Sequence, residues 1–404
     1  MPSFENPKFF HYSVIPYTLL LLSISVTPWN GSFLMFLRLN DILILSAFLF
    51  SMAFLRVSKY LIIALFTILF VLLLSVMVNI GSLGGGEVER LAFVYKYIMP
   101  IIAAVPLIAT INSGSRLYIV QKVLFLVYLV MVGWVYYYKA AVDSGSIIGL
   151  ARLSFPGSDD FLVSDAHLYS NYLSMGLVFY IFFLKKTLDH RALVSTAVIL
   201  ASVGAMVLTF SRNGLVIFGF SIIFYAFLSL LAGRASPHYK SLVSLFVLFL
   251  AAILGFSIWA EVIVNYTAEA VDRAFNFDFS IDPSAIGRLE KFLVAVSDWS
   301  AGSVFFGAGI FGSSLIWYDS GVGIILAHMG LVGILYIFGG LSFLVFIVVK
   351  RYGLEPSGVR AFITILTGYI ISNGITEFAL VTRSALPVTL YIITPVIYEK
   401  IRLQ

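Results

Sequence analysis

The chain has 404 residues, of which 61% are hydrophobic and 11% are charged, and its mean hydropathy is +1.03. Soluble domains carry roughly 25% charged residues, so this composition excludes an ordinary soluble enzyme or binding domain. The net charge of +5 is expected from basic cytoplasmic loops, and we expect no nucleic-acid partner. Because cysteine is absent, disulfides and thiol catalysis are excluded. We expect no metal and no cofactor.

Long apolar runs recur along the chain, as in a protein with many membrane-crossing helices. We predict an all-α polytopic membrane protein, a single transmembrane domain over 1–404 with roughly twelve transmembrane helices. The first run lacks a cleavage site and is interpreted as a retained helix. The predicted spans are 12–27, 38–55, 60–80, 91–111, 117–138, 166–184, 192–210, 213–232, 241–259, 320–349, 358–375 and 384–399.

Basic residues cluster in the short loops on one side of these spans, which indicates the cytoplasmic side. We therefore expect a bacterial inner-membrane protein with both termini in the cytoplasm. The opposite, periplasmic face carries two long loops, at about 139–165 and 260–319. Long connections in a compact bundle are usually functional, so we expect the working surface on this face.

Arg212 interrupts an apolar tract in "LTFSRNGLVIFGFS" and falls on the periplasmic face. One interpretation is a tight helical hairpin at "SRNG", with the arginine reaching the membrane interface. The other is an anion site at the outer end of the bundle, since ionisable groups at membrane depth are functional candidates.

The first long loop, "GLARLSFPGSDDFLVSDAHLYSNYLS", contains Arg152 and leads to His167 and Asn171 on the sixth span. The last outer loop, "NGITEFALVTRSALP", adds Glu377 and Arg383. A solvated polar loop, and an interface histidine at His167, are the plainer interpretations. The outer face thus offers a set of residues that together suggest a polyanionic headgroup site with a candidate base: Arg152, Arg212, Arg288, Arg383, Asp319, Glu377 and His167.

The second long loop contains "SIDPSAIGRLEKFLVAVSDW", where an Asp-Pro pair predicts a helix start at Pro283. Apolar residues then recur on one face at helical spacing, which predicts an amphipathic helix on the outer membrane surface: Ile286, Leu289, Phe292, Leu293 and Val296. Arg288 borders this face near Phe292 and Ala295. It is either a routine interfacial arginine or a ligand for a lipid phosphate.

Gly307, Gly309 and Gly312 match G-x-G-x-x-G, but no strand is predicted before them, so we do not expect a dinucleotide site. Glycines that allow tight turns or close backbone approach fit better. Asp319 opens the tenth span, either for helix capping or as a catalytic or substrate-binding carboxylate. His328, deeper in that span, is interpreted as an interhelical hydrogen-bonding residue.

The chain resembles the bacterial O-antigen polymerase and ligase superfamily in the order of its motifs. These are "SRNGL", then "GRLEKFLVAVSDW" leading into "FFGAGIFG", then "DSGVGIILAHMGLVG" at a late span. The resemblance implies glycan transfer from undecaprenyl pyrophosphate to a sugar hydroxyl on the periplasmic face, without a nucleotide sugar. It implies an undecaprenyl-pyrophosphate-linked oligosaccharide as donor and acceptor. It also leaves room for a chain-length regulator as a partner.

By this resemblance Arg212 and Arg288 hold the pyrophosphate, where they would stabilise the developing charge. Arg152 and Arg383 assist, and Asp319 is the first choice for general base or for positioning the acceptor. Glu377 and Arg383 match the last loop of the family more loosely, and His167 and Asn171 join the substrate-binding residues.

Ligases of this superfamily typically have a histidine where this chain has Asp319, so the polymerase is favoured. A ligase that transfers glycan to lipid A core stays open, as does a lipid-linked oligosaccharide flippase.

Overall fold

The computed structural model describes residues 7–26, 32–34, 37–55, 57, 59–77, 87–143, 166–209, 211–233, 283–315, 318, 320–375 and 385–403. In these ranges the chain is almost entirely helical, apart from a short antiparallel hairpin of β1 (Ser32–Leu34) and β2 (Leu37–Arg38). The first helices are α1 (Pro7–Val26), α2 (Leu39–Phe54), α3 (Lys59–Met77), α4 (Glu87–Thr110) and α5 (Gly114–Asp143).

The second half of the chain continues with α6 (Ala166–Phe179), which runs through a π-helical turn (Tyr180–Leu184) into α7 (Lys185–Thr187). The remaining helices are α8 (Ala192–Leu208), α9 (Arg212–Leu231), α10 (Pro283–Ala301), α11 (Gly321–Tyr352), α12 (Ser357–Ile375) and α13 (Ala385–Arg402). Every predicted span coincides with a helix except 241–259, which lies outside the described residues.

Three helices in the described ranges are long and apolar enough to cross a membrane: Gly114–Ala141, Asn213–Leu231 and Gly321–Tyr352. Several shorter helices are also apolar. The prediction of an all-α chain built from apolar helices is thus confirmed, apart from the small hairpin, and these helices are compatible with a membrane protein. The predicted helix inside the second long loop is α10, and it begins at Pro283 as expected.

The chain forms two compact units. The first consists of Met1–Leu117, Pro283–Ile347 and Asn373–Leu390, and the second of Tyr118–Asp282, Val348–Ser372 and Tyr391–Gln404. In the first unit α1 packs on α2, and both pack on α4, which also contacts α3. A buried cluster joins α3, α4, α10 and the first half of α11: Ile68, Val71, Leu72, Tyr97, Ala295, Ile310, Tyr318, Ile324, Ile325, Ala327 and Met329.

Helix α11 is broken at Gly330, whose backbone is not helical (φ 58°, ψ −153°). The break meets the connection between α10 and α11 through backbone hydrogen bonds. The N–H of Leu331 donates to the Val304 carbonyl (3.2 Å), and that of Val332 to the Phe305 carbonyl (3.0 Å). Buried backbone groups need such partners because water cannot supply them in an apolar interior. The connection therefore satisfies donors that the break leaves open.

The connection is itself closed by a tight turn, residues 303–308, here called the glycine turn. Ser303 and Gly307 exchange backbone hydrogen bonds of 2.8 and 2.6 Å. Gly307 has φ 70°, and a Cβ there would lie 2.7 Å from the Leu326 carbonyl oxygen. A Cβ on Gly330 would lie 2.5 Å from the Gly307 nitrogen. Of the three glycines predicted to allow tight turns or close backbone approach, Gly307 is confirmed.

The second unit is organised around α6, which packs on α8 and α9. The described part of this unit contains several fully buried tyrosines, among them Tyr128, Tyr169, Tyr172 and Tyr391. Their hydroxyls find partners, as buried tyrosines usually do. The hydroxyls of Tyr172 and Tyr391 lie 2.9 Å apart, and Tyr169 donates to the Met131 carbonyl at 2.7 Å.

Replacing Gly330 with alanine should destabilise the protein, because the new Cβ meets backbone atoms and the glycine-like backbone angles cost roughly 1–3 kcal/mol for other residues. The matched control is Gly339→Ala in the same helix, where no atom lies within 4 Å of the added Cβ. That control should leave stability equal or slightly higher, because alanine favours helix. Thermal unfolding of the detergent-purified variants measures both. Equal melting temperatures for the two would contradict the packing at the break.

Candidate functional site

The predicted site residues divide by how far the structure describes them. Four lie outside the described residues: Arg152, Asp319, Glu377 and Arg383. His167 and Arg212 belong to described helices through their backbone alone. The side chains of Asn171 and Arg288 are described. The proposed grouping of these eight residues therefore stays a prediction, and the local geometry can be built around their neighbours.

The "SRNG" segment forms the start of α9. Ser211 is extended (φ −119°, ψ 120°) and Arg212 is the first helical residue. Gly214 packs against α6, where an added Cβ would lie 2.7 Å from the Ser170 carbonyl carbon. The Ser170 hydroxyl also donates to the Ser211 carbonyl at 3.3 Å. The first turns of α6 and α9, which carry His167 and Arg212, are thus adjacent.

These two helices run in the same direction. Further along them, Met175 of α6 and Ile217 of α9 both approach Gly368 of α12. Their N-terminal ends therefore lie together, and each contributes partial positive charge. The anion-site interpretation of Arg212 stays a prediction. Asn171 is buried, with 3% of its surface exposed. Its role in substrate binding stays a prediction.

Arg288 lies on α10 with a half-buried side chain. Phe292 and Ala295 follow it at helical spacing and pack on the start of α11. A Cβ on Gly323 would lie 3.3 Å from the Ala295 Cβ and 3.5 Å from the Phe292 ring. Arg288 thus lies on the face of α10 that packs near the N-terminal end of α11.

The apolar face predicted for α10 divides into two parts. Phe292 packs inward on α11, together with Ala295, which is fully buried. Leu289 and Leu293 are 59% and 57% exposed, and Ile286 is also exposed. An exposed apolar stripe on an amphipathic helix fits contact with an apolar surface. Arg288 lies beside this stripe.

Asp298, in the last turn of α10, was missed by sequence reasoning. Its carboxylate accepts hydrogen bonds from the Ser314 N–H (2.8 Å), from the Ser314 hydroxyl (2.7 Å to Oδ2) and from the Tyr318 hydroxyl. The next residue, Trp299, donates its indole N–H to the Val304 carbonyl at 2.9 Å. The end of α10 is therefore fastened to both the glycine turn and the segment before α11. The available signal was an acidic residue at a helix C-terminus, where the dipole disfavours it.

Tyr318 is fully buried, which raises the pKa of its phenol, and the neighbouring Asp298 raises it further. The phenol thus stays protonated at neutral pH and remains a hydrogen-bond donor. Its ring meets the ring of His328 edge-on, with 6.1 Å between centroids.

Ser320 holds the N-cap position of α11. Its hydroxyl accepts from the Gly323 N–H at 3.3 Å, and its carbonyl accepts from the Ile324 N–H at 2.9 Å. Ser320 therefore caps the first turn of α11, and Asp319 lies outside the described residues. Asp319 stands in the sequence between two residues whose side chains are both held, Tyr318 and Ser320.

His328 lies 1% exposed inside the first unit. Its Nδ1 is 3.5 Å from the Tyr97 hydroxyl of α4, and its carbonyl accepts from the Ser75 hydroxyl of α3. The prediction of an interhelical hydrogen-bonding residue is confirmed. Within the described residues, no group of three or more His, Asp or Glu side chains could hold a metal ion.

Comparison of the chain with protein-family models, with curated proteins and with solved structures finds no match. The assignment of a function therefore depends on the motifs and on the geometry described above.

Ser320→Ala should lower stability by roughly 0.5–2 kcal/mol, the usual cost of losing an N-cap hydroxyl. Asp319→Asn should leave the melting temperature unchanged, because Ser320 supplies the cap. Thermal unfolding of the two variants side by side tests this division. If Asp319→Asn were the more destabilising change, a structural role for Asp319 would regain its support.

Proposed function

We propose that this protein joins undecaprenyl-pyrophosphate-linked oligosaccharide repeats into an O-antigen-type polysaccharide. The observation that carries the proposal is the arrangement on α10, where half-buried Arg288 lies beside the exposed leucines Leu289 and Leu293. A lipid-linked pyrophosphate has the complementary chemistry, an anionic head attached to an apolar tail. An arginine fork matches phosphate geometry. The order of the sequence motifs supports the same substrate.

The proposed reaction is a glycan transfer without a nucleotide sugar. A hydroxyl oxygen of the acceptor repeat attacks the anomeric carbon that the donor attaches to pyrophosphate. The bond between that carbon and the phosphate oxygen breaks, and undecaprenyl pyrophosphate leaves with the electron pair. The hydroxyl proton passes to a general base, for which Asp319 is our first choice.

Cations account for the remaining chemistry. Arg212 and Arg288 would offset the charge that develops on the leaving pyrophosphate, most effectively in a partly dry site. The two adjacent helix N-termini at Arg212 support anion binding at that place. Arg152, Arg383 and Glu377 would complete the site, together with His167 and Asn171.

The cellular setting belongs to the same proposal. Apolar helices make the chain compatible with a membrane, and the distribution of basic residues favours a bacterial inner membrane with both termini in the cytoplasm. The site would then face the periplasm, where lipid-linked repeats and a chain-length regulator would be available.

A transporter is the second candidate, because broken helices such as α11 are common in transporters. In those proteins the groups freed at the break bind substrate or ions. Here the N–H groups of Leu331 and Val332 donate to the glycine turn. Because these N–H groups already have backbone partners, the break has a structural role, which counts against the transporter. A ligase is disfavoured by Asp319, which occupies the place of the ligase histidine.

The product identifies the function. Purified protein in liposomes, given one defined lipid-linked repeat, should produce a ladder of polymer lengths on a gel. A ligase would produce nothing until lipid A core is added. A flippase would move the repeat between leaflets without lengthening it. The absence of a ladder would refute the polymerase.

Arg288→Ala should lower the polymerisation rate about 100-fold or more, the scale for losing one preorganised donor to a developing anion. The polymerisation rate of Arg288→Lys should fall between those of the unaltered protein and Arg288→Ala. Lysine keeps the positive charge but lacks the planar guanidinium that can bind a phosphate with two hydrogen bonds. The matched control is Lys291→Ala, a cation on the polar side of the same helix, which should keep normal activity. Normal ladder synthesis by well-expressed Arg288→Ala would remove Arg288 from the site.

A further inference from the structure

Asp298 occupies an electrostatically poor position. It lies in the last turn of α10, where the helix end carries partial negative charge and disfavours a carboxylate. Three donors offset this cost: the Ser314 N–H, the Ser314 hydroxyl and the Tyr318 hydroxyl. Hydrogen bonds to an ionised group are roughly twice as strong as neutral ones. The carboxylate thus links α10 to the segment that precedes α11, against the dipole of its own helix.

The segment linked to Asp298, which contains Ser314 and Tyr318, also contacts α11. Tyr318 is fully buried, and its oxygen accepts from the Leu315 N–H at 3.3 Å. Its ring packs edge-on against His328 of α11. Asp298 therefore reaches α11 through a side chain that is itself fixed on α11.

Arg288 lies on the same rigid helix, ten positions before Asp298, which corresponds to about 15 Å along the axis. Between them, Phe292 and Ala295 face Gly323, where an added Cβ would lie 3.5 Å from the Phe292 ring and 3.3 Å from the Ala295 Cβ. These apolar contacts are non-directional. The hydrogen bonds of Asp298, with that of Trp299, provide the directional link.

We propose that Asp298 is a positioning residue for the glycan transfer. Acting through Tyr318 and Ser314, it fixes α10, the helix that carries Arg288, relative to the N-terminal end of α11. This inference rests on the proposed function. Three donors occupy most of the acceptor positions of the carboxylate, which suits it to holding the segment more than to taking a proton from substrate.

The test uses Asp298→Asn and Tyr318→Phe, singly and combined, in the liposome assay with the defined lipid-linked repeat. Each single change should lower kcat about 10- to 100-fold, the range for reacting groups displaced by about 1 Å. KM should stay within about threefold, because the phosphate contacts remain. The double variant should have a kcat no lower than that of the slower single variant, because both changes remove the same link between Asp298 and Tyr318. Glu290→Gln, an exposed carboxylate on the same helix, is the matched control and should keep normal kcat.

Melting temperatures separate positioning from folding. We expect the single variants to melt within a few degrees of the unaltered protein. If Asp298→Asn does not fold, Ser314→Ala removes only the hydroxyl donor and should give a smaller fall in kcat at normal stability. Normal kcat in the folded variants would overturn the positioning role, as would independent losses that multiply in the double variant. If the unaltered protein made no ladder, the glycan transfer itself would be refuted, and the positioning role with it.

Discussion

The first unit depends on one constraint, the need to satisfy backbone hydrogen bonds where helix α11 is interrupted. A break in an apolar helix exposes N–H groups that lipid and apolar side chains cannot satisfy. The glycine turn supplies carbonyls at this place, and it fits only because Gly307 and Gly330 lack a side chain. Once this pairing forms, the connection between α10 and α11 has a fixed path. The ends of both helices then have fixed neighbours.

The candidate chemistry of this unit follows from that path. The Val304 carbonyl in the glycine turn accepts a hydrogen bond from the Trp299 indole. The Asp298 carboxylate accepts hydrogen bonds from Ser314 and Tyr318. As a result α10 lies with one face on α11 and with an apolar stripe exposed. Arg288 lies between those two environments. A cation at the margin of an apolar surface is suited to a ligand that has both an anionic and an apolar part, which is the basis of the proposed lipid-linked substrate.

The second unit has an arrangement of its own at the start of α9. Gly214 lets α9 lie directly against α6 at Ser170, and the two helices run in the same direction. Their N-terminal ends thus come together, and Arg212 begins one of them. The "SRNG" motif serves both open interpretations, because its glycine shapes the helix contact while its arginine begins the helix. A structural and an anion-binding role are compatible at this site.

Much of the fold could be predicted from the sequence. Apolar runs and the Asp-Pro signal before α10 are local, and the positions of the helices followed from them within a few residues. The same local chemistry predicted that Gly307 needs close backbone approach and that His328 bonds between helices. Arg212 was singled out because a permanent cation is rare among apolar residues, and the anion-binding roles of Arg212 and Arg288 stay predictions.

Other features were decided only by tertiary structure. The break in α11 depends on a partner that lies more than twenty residues earlier in the chain. The capping role of Ser320 at the start of α11 depends on where the helix begins. The role of Asp298 depends on donors that arrive from a loop sixteen and twenty residues later. Composition and spacing specify helices because those hydrogen bonds are local. They do not specify which distant donor reaches a given carboxylate, since that depends on how the packed helices direct the chain between them.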